Sequence, residues 1–325
     1  MLSIIIVNYK TPQLLANCLK SVYEQTNKIP FEVLVVDNAS GDDSQKFILD
    51  QFPSVKWIQL DYNSGFARAN NVGIKNSSGN VVLLLNSDTI VLNNAIENCY
   101  SLFSSSPYVA CGVQLLNRDG TPQISGNYNM KGLNNLLPLP YLGPFIKSIG
   151  NLFKVRKPHV PDSNEPVDDI DWINGAYLMV KKDTIDKAGL LDEDFFLYAE
   201  ESEWCHRLKK FGKLVIYGQF KVLHLQGETS NTAFTSNTSG YSNLYDRKGL
   251  QIMLSNFVRI RKQFGAGWFL IQLLIYTLNI PVFFIISLFK PKQLTDVKNY
   301  SKNVFKLWSY AGIILRNKPY FYKVL

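Results

Sequence analysis

Asp88 stands at the end of a short apolar run, a place where a carboxylate can bind a ligand. Five consecutive apolar residues, 81–85, lead directly into Asn86, Ser87 and Asp88. A short apolar run bounded by turn residues is typical of a strand covered on both faces, as in a parallel α/β sheet. Ligands bind at the carboxyl ends of such strands, and a carboxylate there suits a divalent cation that also holds a phosphate. The alternative is an Asp that caps a helix or shapes a turn.

Two other predicted strands also end in polar residues. Asn8 closes the apolar run that starts at residue 3, and Asp37 and Asn38 follow the run at 31–36. Because the carboxyl ends of parallel strands meet at one edge of a sheet, we expect Asn8, Asp37-Asn38 and Asn86-Ser87-Asp88 to face one crevice. This convergence favours a binding site over independent turn residues.

A second acidic cluster lies near the start of a predicted helix at residues 200–211, which Gly212 terminates. Glu201 falls near the middle of the helix's apolar stripe, whereas Glu200 lies near its edge. Partial burial raises the proton affinity of a carboxylate, and the helix dipole at an N-terminus opposes that effect. The pattern therefore predicts a usable base, with plain charge complementarity at the helix N-terminus as the alternative. The choice between Glu201 and Glu200 stays open. The stripe consists of Trp204, Cys205, Leu208 and Phe211.

His224 is one of three histidines and lies within the apolar strand pattern at 221–225. In that setting it is either a hydrogen-bonded core residue or a metal ligand.

Strand and helix patterns alternate over residues 2–115, which predicts an α/β fold with a mostly parallel, Rossmann-like central sheet and flanking helices. The chain lacks Gly-x-Gly-x-x-Gly after its first strand, which argues against a dinucleotide-dependent dehydrogenase. Residues 120–168 are predicted to form a long irregular connection, as a lid or acceptor loop.

Charge and cysteine usage bound the environment of the chain. The net charge is +8, but residues 247–325 contain 13 Lys or Arg and one acid, Asp296, which gives +12 and leaves −4 for the rest. A basic tail predicts an anionic partner, either nucleic acid or a membrane.

The four cysteines form no Cys-x-x-Cys pair, which is typical of a protein in a reducing cytosol without a zinc site or disulfide framework.

An apolar segment at 268–289 favours the membrane over nucleic acid as the partner of this tail. Its length would span a bilayer, but Gln272, Asn279 and Pro281 interrupt it and basic residues flank both ends. A span would place either the enzyme or the basic tail on the wrong side by the positive-inside rule. We therefore favour short interfacial helices, with a membrane span and a buried core segment or oligomer interface as the alternatives.

Taken together, these segments resemble the bacterial family-2 glycosyltransferases of GT-A fold, and among them the rhamnosyltransferase-like enzymes of surface polysaccharide synthesis. The resemblance covers about residues 1–260. Its motifs are Ile6-Val7-Asn8-Tyr9, Val35-Val36-Asp37-Asn38-Ala39-Ser40, Asn63-Ser64-Gly65-Phe66-Ala67-Arg68-Ala69-Asn70-Asn71-Val72-Gly73, Leu85-Asn86-Ser87-Asp88, Asn174-Gly175-Ala176, Phe195-Phe196-Leu197-Tyr198-Ala199-Glu200-Glu201-Ser202-Glu203-Trp204-Cys205-His206-Arg207, and His224 with Gly227 and Ser230.

The resemblance implies an inverting, metal-dependent transfer of a sugar from a nucleoside-diphosphate donor, such as dTDP-rhamnose or a UDP-hexose. The acceptor would be a glycan carried on a polyprenyl diphosphate. The resemblance implies that Asp88 and His224 hold Mg²⁺ or Mn²⁺ and that Glu201, beside Glu200, is the base. The implied nucleotide-sugar site is Val7, Asn8, Tyr9, Asp37, Asn63, Arg68, Asn86, Ser87 and Asp88, and the implied acceptor or sugar pocket is Trp172, Asn174, Gly175 and Ala176.

Two departures from the family pattern and one absent motif of the processive synthases bear on this expectation. Asn86 replaces the first acid of the Asp-x-Asp metal motif, which lowers the charge offered to a cation. Glu201 stands where the family usually has Asp. The Gln-x-x-Arg-Trp motif of processive synthases is absent from the sequence, which favours one addition per encounter.

The resemblance also implies that different parts of the chain have different functions. Residues 1–245 would form the GT-A catalytic domain, with a nucleotide-sugar half at 1–115 and an acceptor half at 116–245. Residues 246–325 would form a basic, helical, membrane-associating region. The expected location is cytoplasmic, peripheral or monotopic on the inner face of the bacterial cell membrane, with an anionic membrane surface as partner, no nucleic acid, and a homo-oligomer left open. The alternative function is a non-catalytic, membrane-associated module that binds sugar nucleotides or glycans.

Overall fold

The structure is a computed structural model that describes residues 1–128, 132–153, 164–225, 234, 236 and 243–324. It divides into two compact units. The first unit comprises residues 1–128, 159–193 and 200–229, and the second comprises residues 129–158, 194–199 and 230–325. The assignment of nucleotide-sugar binding to 1–115 and acceptor binding to 116–245 stays a prediction.

The N-terminal part of the first unit alternates strands and helices, as the sequence predicts. Its elements are β1 Leu2–Asn8, α1 Pro12–Gln25, β2 Phe31–Asp37, α2 Ser44–Leu49, β3 Lys56–Gln59, α3 Gly65–Lys75, β4 Val81–Asn86, β5 Thr89–Val91, α4 Ala95–Ser104 and β6 Ala110–Leu116. The later elements of this unit are β7 Gly126–Asn127, β8 Pro166–Ile170, β9 Trp172–Ile173, β10 Tyr177–Lys181, α6 Lys182–Ala188, α7 Glu200–Leu208 and β11 Leu214–His224.

The central sheet has the order β3-β2-β1-β4-β10-β6-β11-β5, and β8 adds to β11. The first four of these strands run parallel, which confirms the α/β fold class. The sheet as a whole is mixed, because β10 runs antiparallel to both β4 and β6. Its residues are as uniformly apolar as those of the parallel strands, and the sequence pattern therefore does not reveal its direction.

Strand β1 is apolar at nearly every position because helices cover both of its faces. Ile4 and Ile6 belong to the core cluster that includes Leu15 and Cys18 of α1. Ile5 points to the other face, where α3 approaches so closely that a Cβ on Gly73 would lie 2.4 Å from Ile5 Cγ2. A side chain at position 73 would therefore force Ile5 or helix α3 to shift.

The segment at 120–168 is more regular than expected where the structure describes it. It contains β7, a 3₁₀ turn at Leu133–Leu136, helix α5 at Leu142–Leu152, and β8. The prediction of an irregular connection was wrong for these residues, because Gly and Pro near the start of α5 obscured its helical periodicity.

The second unit is built from α5, α8 at Arg247–Ser287 and α9 at Leu294–Arg316, with a 3₁₀ turn at Pro291–Gln293. Asp246 caps α8 by accepting a hydrogen bond from the Gly249 backbone N–H, and Gly265 interrupts the helix with φ 87° and ψ 176°. The aromatic rings of Phe257 and Tyr276 pack edge to face, 5.0 Å apart.

The polar interruptions of the apolar segment 268–289 face the inside of the second unit. Gln272 is fully buried and donates from Nε2 to the Gly132 carbonyl oxygen at 2.9 Å, while Asn135 Nδ2 donates to its Oε1 at 2.8 Å. Large apolar side chains of the same helix face outward, among them Leu274 at 52% and Leu278 at 58% exposed. Among the described helices, α8 is the one long and apolar enough to cross a membrane, and 33% of its most apolar stretch is buried.

Candidate functional site

Asn8 and Asp37 end neighbouring strands at paired positions, and the structure joins them directly. Asn8 Nδ2 donates to Asp37 Oδ1 at 2.7 Å. The same oxygen accepts from Ser40 Oγ at 2.6 Å, and Oδ2 accepts from the Ser40 backbone N–H at 2.9 Å and from Gln59 Nε2 at 2.8 Å. The carboxylate is buried and uses about four lone-pair sites. Its orientation is therefore fixed by the protein.

Asn38 holds the turn that precedes α3. Its Oδ1 accepts from the backbone N–H and the hydroxyl of Ser64, at 2.8 and 3.0 Å. Its Nδ2 donates to Asn63 Oδ1 at 3.1 Å. Asn38 was expected at the crevice with Asp37, whereas the contribution of Ser40 was not predicted. The available signal was that Asn and Ser after a strand-terminal Asp are typical of side-chain hydrogen bonds to a nearby turn.

Val7 and Tyr9 flank Asn8 at the same end of β1. Val7 lies between Val36 and Asn86 in the sheet register, so the ends of three strands meet at this point. Tyr9 is half-buried, and Lys10 Nζ lies 5.5 Å from the centre of its ring.

Asp88 and His224, which are far apart in the sequence, meet because β5 pairs antiparallel with β11. The register places His224 opposite Thr89, and the Leu225 backbone N–H donates to the Asp88 carbonyl oxygen at 2.9 Å. Asp88 Oδ1 and His224 Nε2 are 3.4 Å apart, and both side chains are about 6% exposed. The structure thus brings the two predicted metal ligands together.

Gln123 fixes the tautomer of His224. Gln123 Nε2 donates to the His224 carbonyl oxygen at 2.6 Å, so the Gln123 Oε1 atom that lies 2.9 Å from His224 Nδ1 is an acceptor. Nδ1 therefore carries a proton, and Nε2 faces Asp88. Gln123 was missed by sequence reasoning because nothing local marks a residue whose partner lies about 100 positions later in the chain.

Asn86 and Ser87 complete the turn that leads to Asp88. Asn86 Nδ2 lies 3.4 Å from His224 Nε2, and its backbone oxygen accepts from Thr89 Oγ1 at 2.7 Å. Ser87 is buried, and its hydroxyl lies 3.5 Å from Thr11 Oγ1. Asn86 therefore shapes the turn through its backbone and reaches the Asp88–His224 pair through its side chain.

The Asp88–His224 pair offers one carboxylate oxygen and one imidazole nitrogen to a cation. No group of three or more His, Cys, Asp and Glu that could hold a metal ion is present in the described part of the chain. Two such ligands suit Mg²⁺ or Mn²⁺ when substrate oxygens and waters complete the coordination. The residues fit a cation that binds together with a phosphorylated substrate.

Segment 174–176 links the metal candidates to the acidic helix. The Asn86 backbone N–H donates to the Ala176 carbonyl oxygen at 3.1 Å. Asn174 Oδ1 accepts from the Ala176 backbone N–H at 3.0 Å. A Cβ on Gly175 would lie 3.5 Å from Cβ and Cγ of Glu201. Gly175 thus lets Glu201 pack closely against the segment that is hydrogen-bonded to the end of β4.

Glu200 and Glu201 are both buried at the start of α7, which begins at the residue that the sequence predicts. Burial and the neighbouring Glu201 charge raise the pKa of Glu200 well above its ordinary value. Glu200 is 3% exposed, and its Oε2 has no hydrogen-bond partner among the described residues. An unpaired carboxyl in this setting retains its proton.

Arg207 anchors helix α7 to the segment that precedes it. Arg207 forms a two-nitrogen ion pair with Glu203, at 2.7 to 3.0 Å, and donates to the Ala188 and Leu190 carbonyl oxygens. Glu203 is buried, and the ion pair with Arg207 compensates for its desolvation.

The segment that anchors α7 also anchors α3. Arg68 Nε donates to the Glu193 carbonyl oxygen at 2.9 Å, and Asn71 exchanges two hydrogen bonds with the Leu191 backbone. Residues 188–193 therefore position Arg68 and the acidic helix together. Trp172, from the predicted acceptor pocket, lies in β9 with an indole N–H that has no partner among the described residues.

Comparisons with known proteins identify the class to which this fold and site belong. Residues 3–161 match the family described as glycosyl transferase family 2. The low-salt glycan biosynthesis hexosyltransferase Agl10 of Haloferax volcanii is 29% identical over 253 residues, which cover 76% of this chain and 74% of Agl10. The N-acetylglucosaminyl-diphospho-decaprenol L-rhamnosyltransferase of Mycobacterium tuberculosis is 26% identical over 236 residues, covering 69% of this chain and 75% of that protein.

A solved structure supports the same fold. The crystal structure of GalNAc-T7 with UDP, GalNAc and Mn²⁺ superimposes with a TM-score of 0.56 at 17% identity, covering 80% of this chain and 47% of that one. The chain is a family-2 glycosyltransferase of GT-A fold. It is similar to rhamnosyltransferases and hexosyltransferases of glycan biosynthesis, and it is an enzyme rather than a non-catalytic module. The predicted family and fold class are confirmed, whereas the roles of individual residues stay proposals.

We expect Glu200→Gln to stabilise the protein increasingly as the pH rises. Because the folded state raises the pKa of Glu200, the folded protein retains a proton that the unfolded chain has lost above its ordinary pKa of about 4.5. The free energy of unfolding of the wild type therefore falls between that pH and the folded pKa, by at most about 1.4 kcal/mol per pH unit. Denaturant unfolding of both proteins across this range measures the difference. A difference that does not change with pH contradicts the raised pKa. Glu203→Gln, which breaks a buried ion pair, is the control and should destabilise the protein.

Proposed function

We propose that the enzyme transfers one sugar per encounter, with inversion, from a nucleoside-diphosphate sugar to a hydroxyl of a lipid-linked glycan. The observation that carries this proposal is the link from the Asp88–His224 pair, through segment 174–176, to the buried Glu201. The printed names of the relatives support it. The mycobacterial relative is named for an L-rhamnosyl transfer to a diphospho-decaprenol acceptor, and GalNAc-T7 was crystallised with UDP and Mn²⁺.

The donor nucleotide would bind at the carboxyl ends of β1 and β2, between Asp37 and the turn held by Asn38. Asp37 already accepts four hydrogen bonds within the protein. Three of them come from the buried residues Asn8 and Ser40, and the fourth comes from the exposed Gln59. A base N–H would therefore take the place of Gln59 Nε2 on Asp37. Tyr9, Asn63 and Arg68 would line the rest of this pocket, and dTDP and UDP donors both fit the proposal.

Asp88 and His224 would hold the divalent cation, and Asn86 and Ser87 would place them. Bound there, Mg²⁺ or Mn²⁺ would neutralise the charge that develops on the leaving diphosphate. His224 contributes through the tautomer that Gln123 imposes, because only the unprotonated Nε2 can donate its lone pair. Asp88 contributes the single full negative charge, since Asn86 is neutral.

Glu201 would be the general base that takes the proton from the acceptor hydroxyl. Burial and the Glu201 charge raise the pKa of Glu200, so the proposal assigns the base role to Glu201 and not to Glu200. A base of this kind contributes about 10²- to 10⁴-fold to a rate. Attack by the acceptor on the face opposite the diphosphate requires one base and no enzyme nucleophile, and it inverts the anomeric centre.

The second unit would attach the enzyme to the inner face of the cell membrane as a peripheral or monotopic protein. Its α8 directs polar groups inward and large apolar side chains outward, the arrangement expected for a helix that contacts hydrocarbon. The +12 charge of residues 247–325 would bind anionic head groups. A homo-oligomer stays a prediction.

Glu201→Gln should lower the rate of sugar transfer by about 10²- to 10⁴-fold and leave donor binding unchanged. Release of nucleoside diphosphate from a panel that includes dTDP-rhamnose and UDP-hexoses measures the rate, and calorimetry measures donor binding. Glu200→Gln is the matched control, since glutamine mimics the protonated acid and should retain most activity. The opposite ranking of the two variants would reassign the base to Glu200.

His224→Ala should raise the Mn²⁺ concentration needed for half-maximal activity at least tenfold, and Gln123→Leu should raise it about 10- to 100-fold by releasing the His224 tautomer. Paramagnetic resonance of Mn²⁺ with UDP or dTDP present measures binding without turnover. His206→Ala is the control. Equal Mn²⁺ affinity in wild type and His224→Ala would remove His224 from the metal site.

Leu270→Glu should weaken binding to phosphatidylglycerol vesicles at least tenfold, because it removes an apolar group from the hydrocarbon contact and adds a charge of the wrong sign. Leu102→Glu in the first unit is the control, since both leucines are 43% exposed. Vesicle sedimentation measures the binding, which should also fall as salt rises. Equal loss in both variants would argue against α8 as the membrane contact.

A further inference from the structure

Helix α1 carries two buried polar side chains that have no place in the reaction as described so far. Cys18 and Ser21 lie one turn apart on the face of α1 that packs in the core, and they are 0% and 7% exposed. Their neighbours on this face, Leu15, Leu19 and Val22, are apolar and fully buried. Because a buried polar group destabilises a protein unless it is hydrogen-bonded, the partners of Cys18 and Ser21 indicate what these side chains do.

Ser21 binds the backbone of β5, which is the last strand in the order of the central sheet. Ser21 Oγ accepts a hydrogen bond from the Val91 backbone N–H at 3.0 Å and donates to the Cys18 carbonyl oxygen at 2.7 Å. Among the described strands, β11 alone pairs with β5. The Ser21 hydroxyl therefore satisfies a backbone donor on the open edge of the sheet, which would lose this partner in an alanine variant.

Cys18 contacts the other end of the same strand. Its Sγ lies 3.4 Å from Thr89 Oγ1 and 3.6 Å from the Asn86 carbonyl oxygen. Thr89 Oγ1 itself donates to that carbonyl oxygen at 2.7 Å, so the thiol joins a small polar network at the turn that leads into β5. Cys18 and Ser21 together thus hold β5 at both of its ends.

A third polar side chain, at the start of α1, faces the same turn. Thr11 occupies the N-cap position, and threonine is common there because its hydroxyl can accept from the first backbone N–H groups of a helix. The Thr11 hydroxyl makes no such cap bond. It donates to Asn8 Oδ1 at 3.3 Å and lies 3.5 Å from Ser87 Oγ. The hydroxyl is thus directed at the ends of the strands rather than at its own helix.

The position of β5 affects the geometry of the Asp88–His224 pair. The strand is three residues long and pairs with β11 at three positions, one of which places Thr89 opposite His224. Asp88 immediately precedes Thr89, and its carbonyl oxygen accepts from the Leu225 backbone N–H. A strand this short is weakly held by its ladder alone. Its contacts with α1 therefore help to keep Asp88 Oδ1 and His224 Nε2 3.4 Å apart.

We propose that Cys18 and Ser21 are positioning residues for the metal site, because by holding both ends of β5 they set the affinity of the Asp88–His224 pair for the divalent cation. The inference rests on the proposed function in that this pair binds Mg²⁺ or Mn²⁺. Neither side chain is a metal ligand in this proposal. Each acts through a residue of β5, Ser21 through Val91 and Cys18 through Thr89. If their role were purely structural, substitutions would lower stability without a selective effect on the metal.

Ser21→Ala should weaken Mn²⁺ binding about tenfold, the lower end of the effect of removing a group that orients metal ligands. Paramagnetic resonance of Mn²⁺ with UDP or dTDP present measures the affinity without turnover, and circular dichroism checks that the variant is folded. Ser3→Ala is the matched control, because Ser3 Oγ also accepts from a buried backbone N–H, that of Gly79 at 2.8 Å, but at the amino ends of the strands. It should leave the Mn²⁺ affinity unchanged.

A second set of variants tests the proposal if Ser21→Ala does not fold. Cys18→Ala should weaken Mn²⁺ binding about threefold, a smaller effect because a thiol is a weak donor. Cys18→Ser keeps a donor for Thr89 and should restore most of the affinity. Cys99→Ala is the control and should not change the affinity, since it removes an equally buried thiol, whose sulfur lies 3.6 Å from that of Cys111.

Binding of UDP without a cation separates positioning of the metal site from a general loss of structure. Calorimetry in the presence of a chelator should give the same UDP affinity for wild type, Ser21→Ala and Cys18→Ala, because the four hydrogen bonds of Asp37 involve neither residue. A fall in UDP affinity that matches the fall in Mn²⁺ affinity would overturn the proposal. Unchanged Mn²⁺ affinity in both alanine variants, or an equal loss in the two controls, would overturn it as well.

The His224→Ala variant separates this proposal from the proposed function. Weaker Mn²⁺ binding in His224→Ala, with wild-type affinity in Ser21→Ala and Cys18→Ala, would overturn the positioning role and leave the metal site in place. Equal Mn²⁺ affinity in His224→Ala and wild type would remove the metal site itself, and the positioning role with it.

Discussion

The turn at residues 86–89 is bonded to each segment from which the candidate metal and base sites are built. Its first residue, Asn86, donates its backbone N–H to Ala176, which fixes the segment beside Glu201. The Asp88 carbonyl oxygen accepts from the backbone N–H after His224, and Thr89 opens the strand that pairs with β11. A displacement of this one turn would move the Asp88 carboxylate, the His224 imidazole and the segment that contacts Glu201 together. The backbone bonds of the turn, more than the side chains it carries, therefore set the geometry on which the chemistry depends.

The buried acids of the first unit fall into two groups, which differ in whether hydrogen bonds or an ion pair compensate for the desolvation of the carboxylate. Asp37 accepts four hydrogen bonds and Glu203 is paired with Arg207, so both are stable as anions in place. Glu200 leaves an oxygen unpaired and holds its proton instead, because burial and the adjacent Glu201 raise its pKa. Glu200 therefore lacks the compensation that Asp37 and Glu203 have, and burial together with the Glu201 charge raises its pKa. In the proposed mechanism, this difference is the reason to assign the base to Glu201.

Sequence patterns predicted the parts of this molecule whose burial is uniform and failed where long-range partners decide. The strands β1, β2 and β4 are readable because helices cover both faces, and Asn8 and Asp37 then meet by register alone. The direction of β10 is not readable, since an apolar run looks the same either way. The pairing of Asp88 with His224 was predicted from the family resemblance and not from the local sequence. Gln123 could not be predicted, because its contact with His224 forms only when β11 pairs within the sheet. In α8, Gln272 and Asn279 looked like interruptions of an apolar segment, although they are its inward face.

The inward polar and outward apolar faces of α8 bear on the proposed membrane contact. A helix in water gains stability by burying apolar groups, at about 25 cal/mol per Å², yet the second unit buries Gln272 and Asn279 and exposes Leu274 and Leu278. Such an arrangement is stable when the outward face meets hydrocarbon, since lipid removes the penalty for apolar exposure and requires buried polar groups to face the protein. The charge distribution acts in the same direction. An anionic surface attracts the +12 of residues 247–325 and weakly repels the −4 of the preceding residues. In the proposed membrane attachment, the apolar outward face of α8 and the positive charge of residues 247–325 would therefore act together on the same C-terminal part of the chain.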